Sequence, residues 1–243
     1  IRDGGKSLIS VVDDGIGMTP DELRLAVERH ATSKLPQDAL DNIQTLGFRG
    51  EALPSIGSVG RLSITSRTAD SDSAWRLDIE GGDIGELSPA PLSKGTRIEL
   101  RDLFYATPAR LKFLRADRTE SSQVADAISR LAMARPDVSF TLIDGERTKI
   151  KLEAAQGDLL DARLRRLSGV MGKEFAENAL PIEAEREGLR LTGYAGLPTL
   201  NRGNAQMQFL FVNDRSVKDR LLFGAVRGAY ADFLARDRHP LLA

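Results

Sequence analysis

Asp13-Asp14-Gly15-Ile16-Gly17-Met18, which follows the apolar run Leu8-Ile9-Ser10-Val11-Val12, and Gly47-Phe48-Arg49-Gly50-Glu51-Ala52-Leu53 further along are the stretches that decide the fold. The first is a carboxylate delivered by a strand, with glycines at alternate positions behind it. An acid at a strand end can accept hydrogen bonds from a ligand's exocyclic amine. Gly15 and Gly17 let the backbone turn tightly and come close to a flat ring that a Cβ would obstruct. In the second stretch, Gly47 and Gly50 surround Arg49 just ahead of a helix. Loop N–H groups with a helix N-terminus behind them make an anion site. An acid-and-glycine site together with a phosphate-type loop points to a nucleotide.

Taken singly these signals are weak, since Asp-Gly after a strand is usually a turn and Gly-x-x-Gly is usually punctuation. The weight lies in their company. His30-Ala31-Thr32-Ser33-Lys34, Leu103-Phe104-Tyr105-Ala106-Thr107-Pro108-Ala109-Arg110 and Phe211-Val212-Asn213-Asp214-Arg215 follow in order over most of the chain. Together the motifs resemble the Bergerat-fold (GHKL) ATPases and, within them, the MutL family of DNA mismatch repair proteins. The Asp-x-Gly-x-Gly alone is shared with gyrase-type topoisomerases, large heat-shock chaperones and histidine kinases; Gly-Phe-Arg-Gly-Glu-Ala-Leu is far more specific.

Composition sets bounds. The chain has 243 residues, 41% of them hydrophobic, enough for one large domain or two ordinary ones. No apolar run approaches membrane-spanning length. The absence of cysteine excludes disulfides, thiolate metal sites and cysteine nucleophiles, and fits a reducing cytoplasm. Lysine and arginine number 34 against 35 acids, so any DNA contact must come from a local patch. From Asn201 onward there are seven basic and four acidic residues, a mild local excess. Ile1 is not a start methionine and opens within an element, so a fragment is expected.

Local patterns lay out the elements. Ser7–Val12 reads as a buried strand. Thr19 caps a helix, with Pro20 in its first turn and Glu22 completing a capping box, and Leu23, Ala26, Val27 and His30 share one face. His30 reads as a hydrogen-bonded helix residue rather than a catalyst. Ala31–Leu46 is polar, broken by Pro36 and weakly periodic, as a mobile loop is. A short helix follows Glu51 through Ile56, with Pro54 tolerated only near its start. Strands are expected over Arg61–Ser66, Ala74–Ile79 and Gly95–Arg101. Thr119–Ala134 is predicted as an amphipathic helix carrying Val124, Ile128 and Leu131. Val138–Ile143 and Arg147–Leu152 form a hairpin around Asp144-Gly145. The pattern breaks near Ala154–Asp158. Beyond it come a basic helix (Leu159–Leu167), strands near Leu189–Tyr194 and Met207–Val212, and a helix from Val217 to about Leu234 with a buried stripe of Leu221, Leu222, Ala225, Ala229 and Phe233.

The resemblance implies a mixed α/β (α+β) architecture: a Bergerat-fold α/β sandwich over 1–153, followed over 154–243 by a ribosomal-protein-like transducer domain. It implies ATP and Mg2+ as cofactors. In the family pattern Asp13 reads the adenine amine, with Thr96 in support, and Gly15 and Gly17 shape the adenine pocket. Thr32, Ser33 and Lys34 belong to the ATP lid. Gly47, Phe48, Arg49, Gly50 and Glu51 wrap the β- and γ-phosphates, for which an arginine fork is well matched. Glu51 is a phosphate-loop residue, not a general base. The family's general-base glutamate and magnesium-binding asparagine would precede Ile1, and a lysine near the γ-phosphate would follow Ala243. No catalytic or metal-binding residue is therefore expected within the chain, and turnover by it alone should be negligible. Ala106 replaces the asparagine usual before Thr-Pro-Ala-Arg, and Asp214 stands where many relatives have glycine. Arg215 matches an arginine of a DNA-binding groove.

The function implied is an ATP-switched mismatch-repair matchmaker: slow ATPase, homodimer through the N-terminal region on ATP binding, and contacts with double- or single-stranded DNA. Its other partners would be a mismatch-recognition protein and a downstream repair nuclease or helicase. It would act in the bacterial cytoplasm, at the nucleoid when engaged and away from membranes. Two alternatives stand beside it. One is a non-hydrolysing nucleotide-gated scaffold, in which ATP only shifts a population. The other is a topoisomerase ATPase region, which fits the first motif but not the later ones. A P-loop enzyme is unsupported, because Gly-x-x-x-x-Gly-Lys-Ser/Thr is missing.

Overall fold

The structure, a computed structural model, describes residues 1–31, 47, 49–155 and 159–243. The expected lid falls outside them beyond Ala31, as do Thr32, Ser33, Lys34 and Phe48. The chain divides into two compact units, residues 1–124 with 143–147 and residues 125–142 with 148–243. The fold is mixed α/β, as expected.

Among the described residues of the first unit, six strands make one antiparallel sheet: β1 (Leu8–Asp13), β2 (Arg61–Arg67), β3 (Ala74–Glu80), β4 (Asp83–Ile84), β5 (Ser88–Ala90) and β6 (Gly95–Arg101). Their order is β1-β6-β2-β3-β4, with β5 also on β3. Register places side chains in rows across one face. Ile9, Leu100, Leu62 and Ile79 form one row, and Val11, Ile98, Ile64 and Leu77 the next. Against these apolar rows pack Leu23 and Val27 together with Leu53 and Ile56. Leu23 lies on α1 (Pro20–Leu25), and Leu53 and Ile56 on α2 (Ala52–Gly57). Burying such alternating side chains is what fixes the register, since a slip of one residue would turn every one outward.

Two expectations change here. β1 is not buried: it is the outer strand among the described residues, and Val11 and Val12 are 56% and 59% exposed because no strand covers its far side. Helix α1 starts on the expected capping box but stops at Leu25 rather than reaching His30. Its end is fixed by the chain turning back, with His30 itself left-handed at φ 67°.

Helix α3 (Asp117–Ala134) begins slightly ahead of the expected start, and β7 (Phe140–Asp144) pairs with β8 (Arg147–Leu152) as the Asp-Gly signal implied. The inner face of α3 runs through Ser121, Ala125, Ile128 and Ala132, so Leu131, placed in the buried stripe from sequence, points outward at 40% exposure.

The second unit holds α4 (Leu159–Met171), α5 (Lys173–Glu177) and the hairpin of β9 (Ala179–Arg186) and β10 (Leu189–Gly196). It also has β11 (Asn201–Arg202) paired with β14 (His239–Pro240), the hairpin of β12 (Leu210–Val212) and β13 (Arg215–Val217), and α6 (Arg220–Ala229). Met133, Leu167, Met171, Phe175, Tyr194, Leu200, Phe209 and Leu241 form its core. Arg166 is buried, and its Nη atoms donate to the carbonyls of Ala132, Arg135, Pro136, Val138 and Glu153 at 2.7–3.3 Å. Burial pushes its pKa below the usual arginine value, with Asp137 pulling it back.

α6 is shorter than expected because Asp219, not Val217, caps it: Asp219 Oδ1 accepts from Leu221 N at 2.9 Å and Leu222 N at 3.0 Å. Its expected buried stripe is also rotated. Leu221 and Phe233 are 81% and 67% exposed, while Leu222, Phe223, Val226 and Tyr230 turn partly inward.

Candidate functional site

The sheet's apolar rows end in a polar one. Asp13 on β1 stands opposite Thr96 on β6, and Thr96 opposite Ser66 on β2, so the three lie side by side across adjacent strands. Neighbouring strands run about 4.8 Å apart, which is hydrogen-bond reach for short polar side chains. Ser66 Oγ lies 2.9 Å from Thr96 Oγ1 and 3.1 Å from Gly95 O, and accepts from Met18 N at 2.8 Å. Ser66 and Thr96 are buried, whereas Asp13 is exposed. Asp13 Oδ1 accepts from Gly15 N at 2.9 Å, a local turn that fixes the carboxylate and, among the described residues, leaves Oδ2 open.

The glycines have distinct jobs. Gly15 has an ordinary φ, but a Cβ there would stand 2.8 Å from Asp13 Oδ1 and displace the carboxylate. Gly17 is left-handed (φ 73°), and its Cβ would come within 2.0 Å of Arg67 O at the end of β2. Gly17 is thus packed closely on the backbone of the neighbouring strand. The turn continues into α1, where Thr19 Oγ1 accepts from Glu22 N at 3.3 Å and Glu22 Oε2 from Thr19 N at 2.8 Å. The backbone hydrogen bond from Thr19 holds the Glu22 carboxyl below its ordinary pKa.

The second motif forms a separate cluster. Gly50 is left-handed (φ 62°), with room for a Cβ denied by Ala31 O at 2.3 Å. Its carbonyl accepts from His30 N at 3.2 Å, and His30 Nδ1 is 3.5 Å from Glu51 Oε1. The His30-Ala31 and Gly50-Glu51 motifs thus meet, and the loop leads directly into α2. Gly47 and Arg49 are exposed there. Tyr105 of the Leu103–Arg110 motif lies under Arg61, whose guanidinium is 4.0 Å from the ring centroid and also pairs with Asp102.

The Phe211–Arg215 motif is in the second unit. Asn213 and Asp214 are both left-handed (φ 47° and 62°) and make the tight turn from β12 to β13, with Arg215 half-exposed at the start of β13. Asp214, where the resemblance led to an expectation of glycine, therefore does adopt the left-handed geometry. The same unit has a cleft of about 630 Å³ whose lining includes Arg220, Arg227, Arg236 and Arg238 beside Phe223 and Tyr230. Among the described residues no carboxylate is ion-paired with those arginines. Ser66 and this cleft were not foreseen. Ser66 could have been found as the polar residue that ends the alternation Leu62, Ile64, Ser66 on β2; the cleft has no sequence motif. Among the described residues there is no group of three or more His, Cys, Asp or Glu able to hold a metal ion, and no helix long and apolar enough to cross a membrane.

Comparison with known proteins agrees with the geometry. Residues 167–243 match the family model described as DNA mismatch repair protein, C-terminal domain. The chain is 63% identical over 243 residues to DNA mismatch repair protein MutL of Rhodospirillum rubrum, covering all of this chain and 39% of that protein. It is 57% identical over 240 residues to the MutL of Bradyrhizobium diazoefficiens, covering 99% of this chain and 40% of the relative. The chain belongs to the MutL family of DNA mismatch repair proteins. It spans about two fifths of the length of these MutL relatives. Among solved structures it resembles the Aquifex aeolicus MutL ATPase domain complexed with ADP, with TM-score 0.73 and 26% identity over all of this chain and 80% of that one. The N-terminal domain of a DNA repair protein shares the fold at TM-score 0.79 and 23% identity, covering all of this chain and 75% of that one.

Proposed function

We propose that this MutL-family chain binds ATP at the end of its first sheet and that the whole protein uses the nucleotide as a slow switch in mismatch repair. The observation that carries the reading is the row Asp13–Thr96–Ser66, an exposed carboxylate beside two buried hydroxyls, next to the apolar row containing the exposed Val11. A flat, apolar ring with an amine on its edge suits that juxtaposition. Asp13 would hold the amine with Thr96 in support, and Gly15 and Gly17 would keep the carboxylate and its loop in place. Gly47, Phe48, Arg49, Gly50 and Glu51 would take the phosphates, with Thr32, Ser33 and Lys34 closing over them. Magnesium would accompany ATP, keeping phosphate oxygens and water among its ligands. The described residues form no cage for it.

In this reading residues 1–153 are the ATPase domain and 154–243 belong to the transducer domain. ATP binding favours a closed homodimer through the N-terminal region, and the closed form engages DNA and its repair partners in the cytoplasm. Slow hydrolysis resets it, as conformational steps often limit such cycles. DNA engagement is supported by Arg215 and by the arginines of the basic cleft, which suit phosphates rather than bases. The ADP complex of the Aquifex aeolicus relative favours a nucleotide at the homologous fold.

Asp13→Ala tests the reading by calorimetric titration of ATP into the whole protein. Loss of a charged hydrogen bond of about 1.5–3 kcal/mol predicts roughly a tenfold to hundredfold weaker affinity. Unchanged affinity in a folded variant would remove Asp13 from the site.

A further inference from the structure

We propose that Ser66 sets the hydrogen-bond polarity of this site, and thereby its choice of a 6-amino over a 6-oxo purine. The inference rests on the nucleotide reading and goes beyond it by assigning the discrimination to a buried residue that never meets the ligand.

The argument is a count of protons and lone pairs. Ser66 is fully buried and has three partners: Met18 N at 2.8 Å, Gly95 O at 3.1 Å and Thr96 Oγ1 at 2.9 Å. A hydroxyl has one proton and two acceptor positions. Gly95 O can only accept, so the Ser66 proton points to it. Met18 N can only donate, so it takes one Ser66 lone pair. The remaining lone pair is left for Thr96, whose hydroxyl proton must therefore point inward at Ser66.

Thr96 then has only lone pairs to offer outward. Its neighbour across the strand pair, Asp13, is a carboxylate and likewise only accepts. Two adjacent acceptors match the two N–H bonds of a 6-amino group, whether met directly or through a water that donates to both. A 6-oxo group in the same place would set lone pairs against lone pairs. A site whose fixed polar groups are left unpaired by the wrong ligand rejects it strongly. Ser66 is thus a positioning residue: it holds the Thr96 rotor in the accepting sense.

ATP and ITP differ at this edge alone, which makes them the probes. In the whole protein, calorimetric dissociation constants should favour ATP over ITP. Ser66→Ala releases the Thr96 hydroxyl to donate, so ITP binding should improve and the ITP-to-ATP ratio of constants should fall by about tenfold or more, the equivalent of one hydrogen bond. Thr96→Val, which removes the controlled group, should lower the ratio by itself. Adding Ser66→Ala to Thr96→Val should leave the ratio where Thr96→Val put it. A purely structural Ser66 would weaken both nucleotides in proportion and leave the ratio alone, and that result overturns the proposal. If Ser66→Ala does not fold, Thr96→Val decides: an unchanged ratio refutes the inference. Equal binding of ATP and ITP by the wild type would refute it while leaving nucleotide binding intact; binding of neither would sink the nucleotide reading itself.

Discussion

Gly17→Ala should unsettle the fold at the site, and its size can be worked from two observations. Gly17 is left-handed at φ 73°, where an L side chain costs about 1–2 kcal/mol. An added Cβ would also stand 2.0 Å from Arg67 O, and since neither partner is a flexible side chain, the loop must retreat by about 1 Å to reach a 3.0 Å contact. A retreat of that size strains the bond from Met18 N to Ser66 Oγ, worth about 1 kcal/mol net. The sum is roughly 2–3 kcal/mol. Urea denaturation read by linear extrapolation should show it as a midpoint lowered by about 1 M, for a slope near 2 kcal/mol per M. Gly188→Ala is the control: it is also left-handed (φ 76°), but its Cβ would meet open space, so only the conformational part of the cost applies. Gly15→Ala separates the other role. Its φ is ordinary and its Cβ meets only the Asp13 carboxylate, so it should spare stability and weaken ATP binding. Equal midpoints for Gly17→Ala and wild type would refute the claim that this glycine is held against β2.

Other substitutions probe separate parts of the account. Arg166→Met should cost the second unit roughly 3–5 kcal/mol by denaturation, because buried carbonyls that shared one guanidinium lose their donor; a loss under about 1 kcal/mol would show that water replaces it. Arg49→Ala should weaken ATP more than ADP in calorimetry, since its proposed partners are the terminal phosphate oxygens, and equal losses would make it a structural residue. Arg215→Glu should weaken DNA of every sequence alike, with ATP affinity unchanged. The slope of log affinity against log salt should fall by about one unit for each phosphate that the arginine no longer neutralises. An unaltered slope would place the DNA path away from Arg215.

What was legible in the sequence follows from how local each determinant is. The capping box at Thr19 and Glu22 needs only four consecutive residues, and it forms as read. The strand expected over Gly95–Arg101 forms as β6, where Ile98 and Leu100 alternate, and the Asp144-Gly145 signal marked the β7–β8 hairpin. Burial of β1 was not legible, because an apolar run does not say whether a strand has one neighbour or two. The end of α1 escaped because Ala26, Val27 and His30 keep helical spacing even though the chain turns at Leu25. β9 was overlooked although Leu180, Ile182 and Ala184 alternate, since Pro181 demotes a run that reads as strand. On α6 the apolar residues nearly encircle the helix, so the choice of inward face was settled by packing rather than by pattern. At the candidate site, motifs and resemblance singled out Asp13, Gly15, Gly17 and Thr96 as candidates, but register alone put Ser66 in line with Asp13 and Thr96.

The most direct test of the central claim is a crystal structure of the whole protein with a non-hydrolysable ATP analogue. The account predicts the adenine amine within about 2.7–3.2 Å of Asp13 Oδ2, with Thr96 Oγ1 in reach directly or through one water and Ser66 still bonded to Thr96. A nucleotide seated elsewhere, or a base turned so that its amine faces away from Asp13, would contradict it.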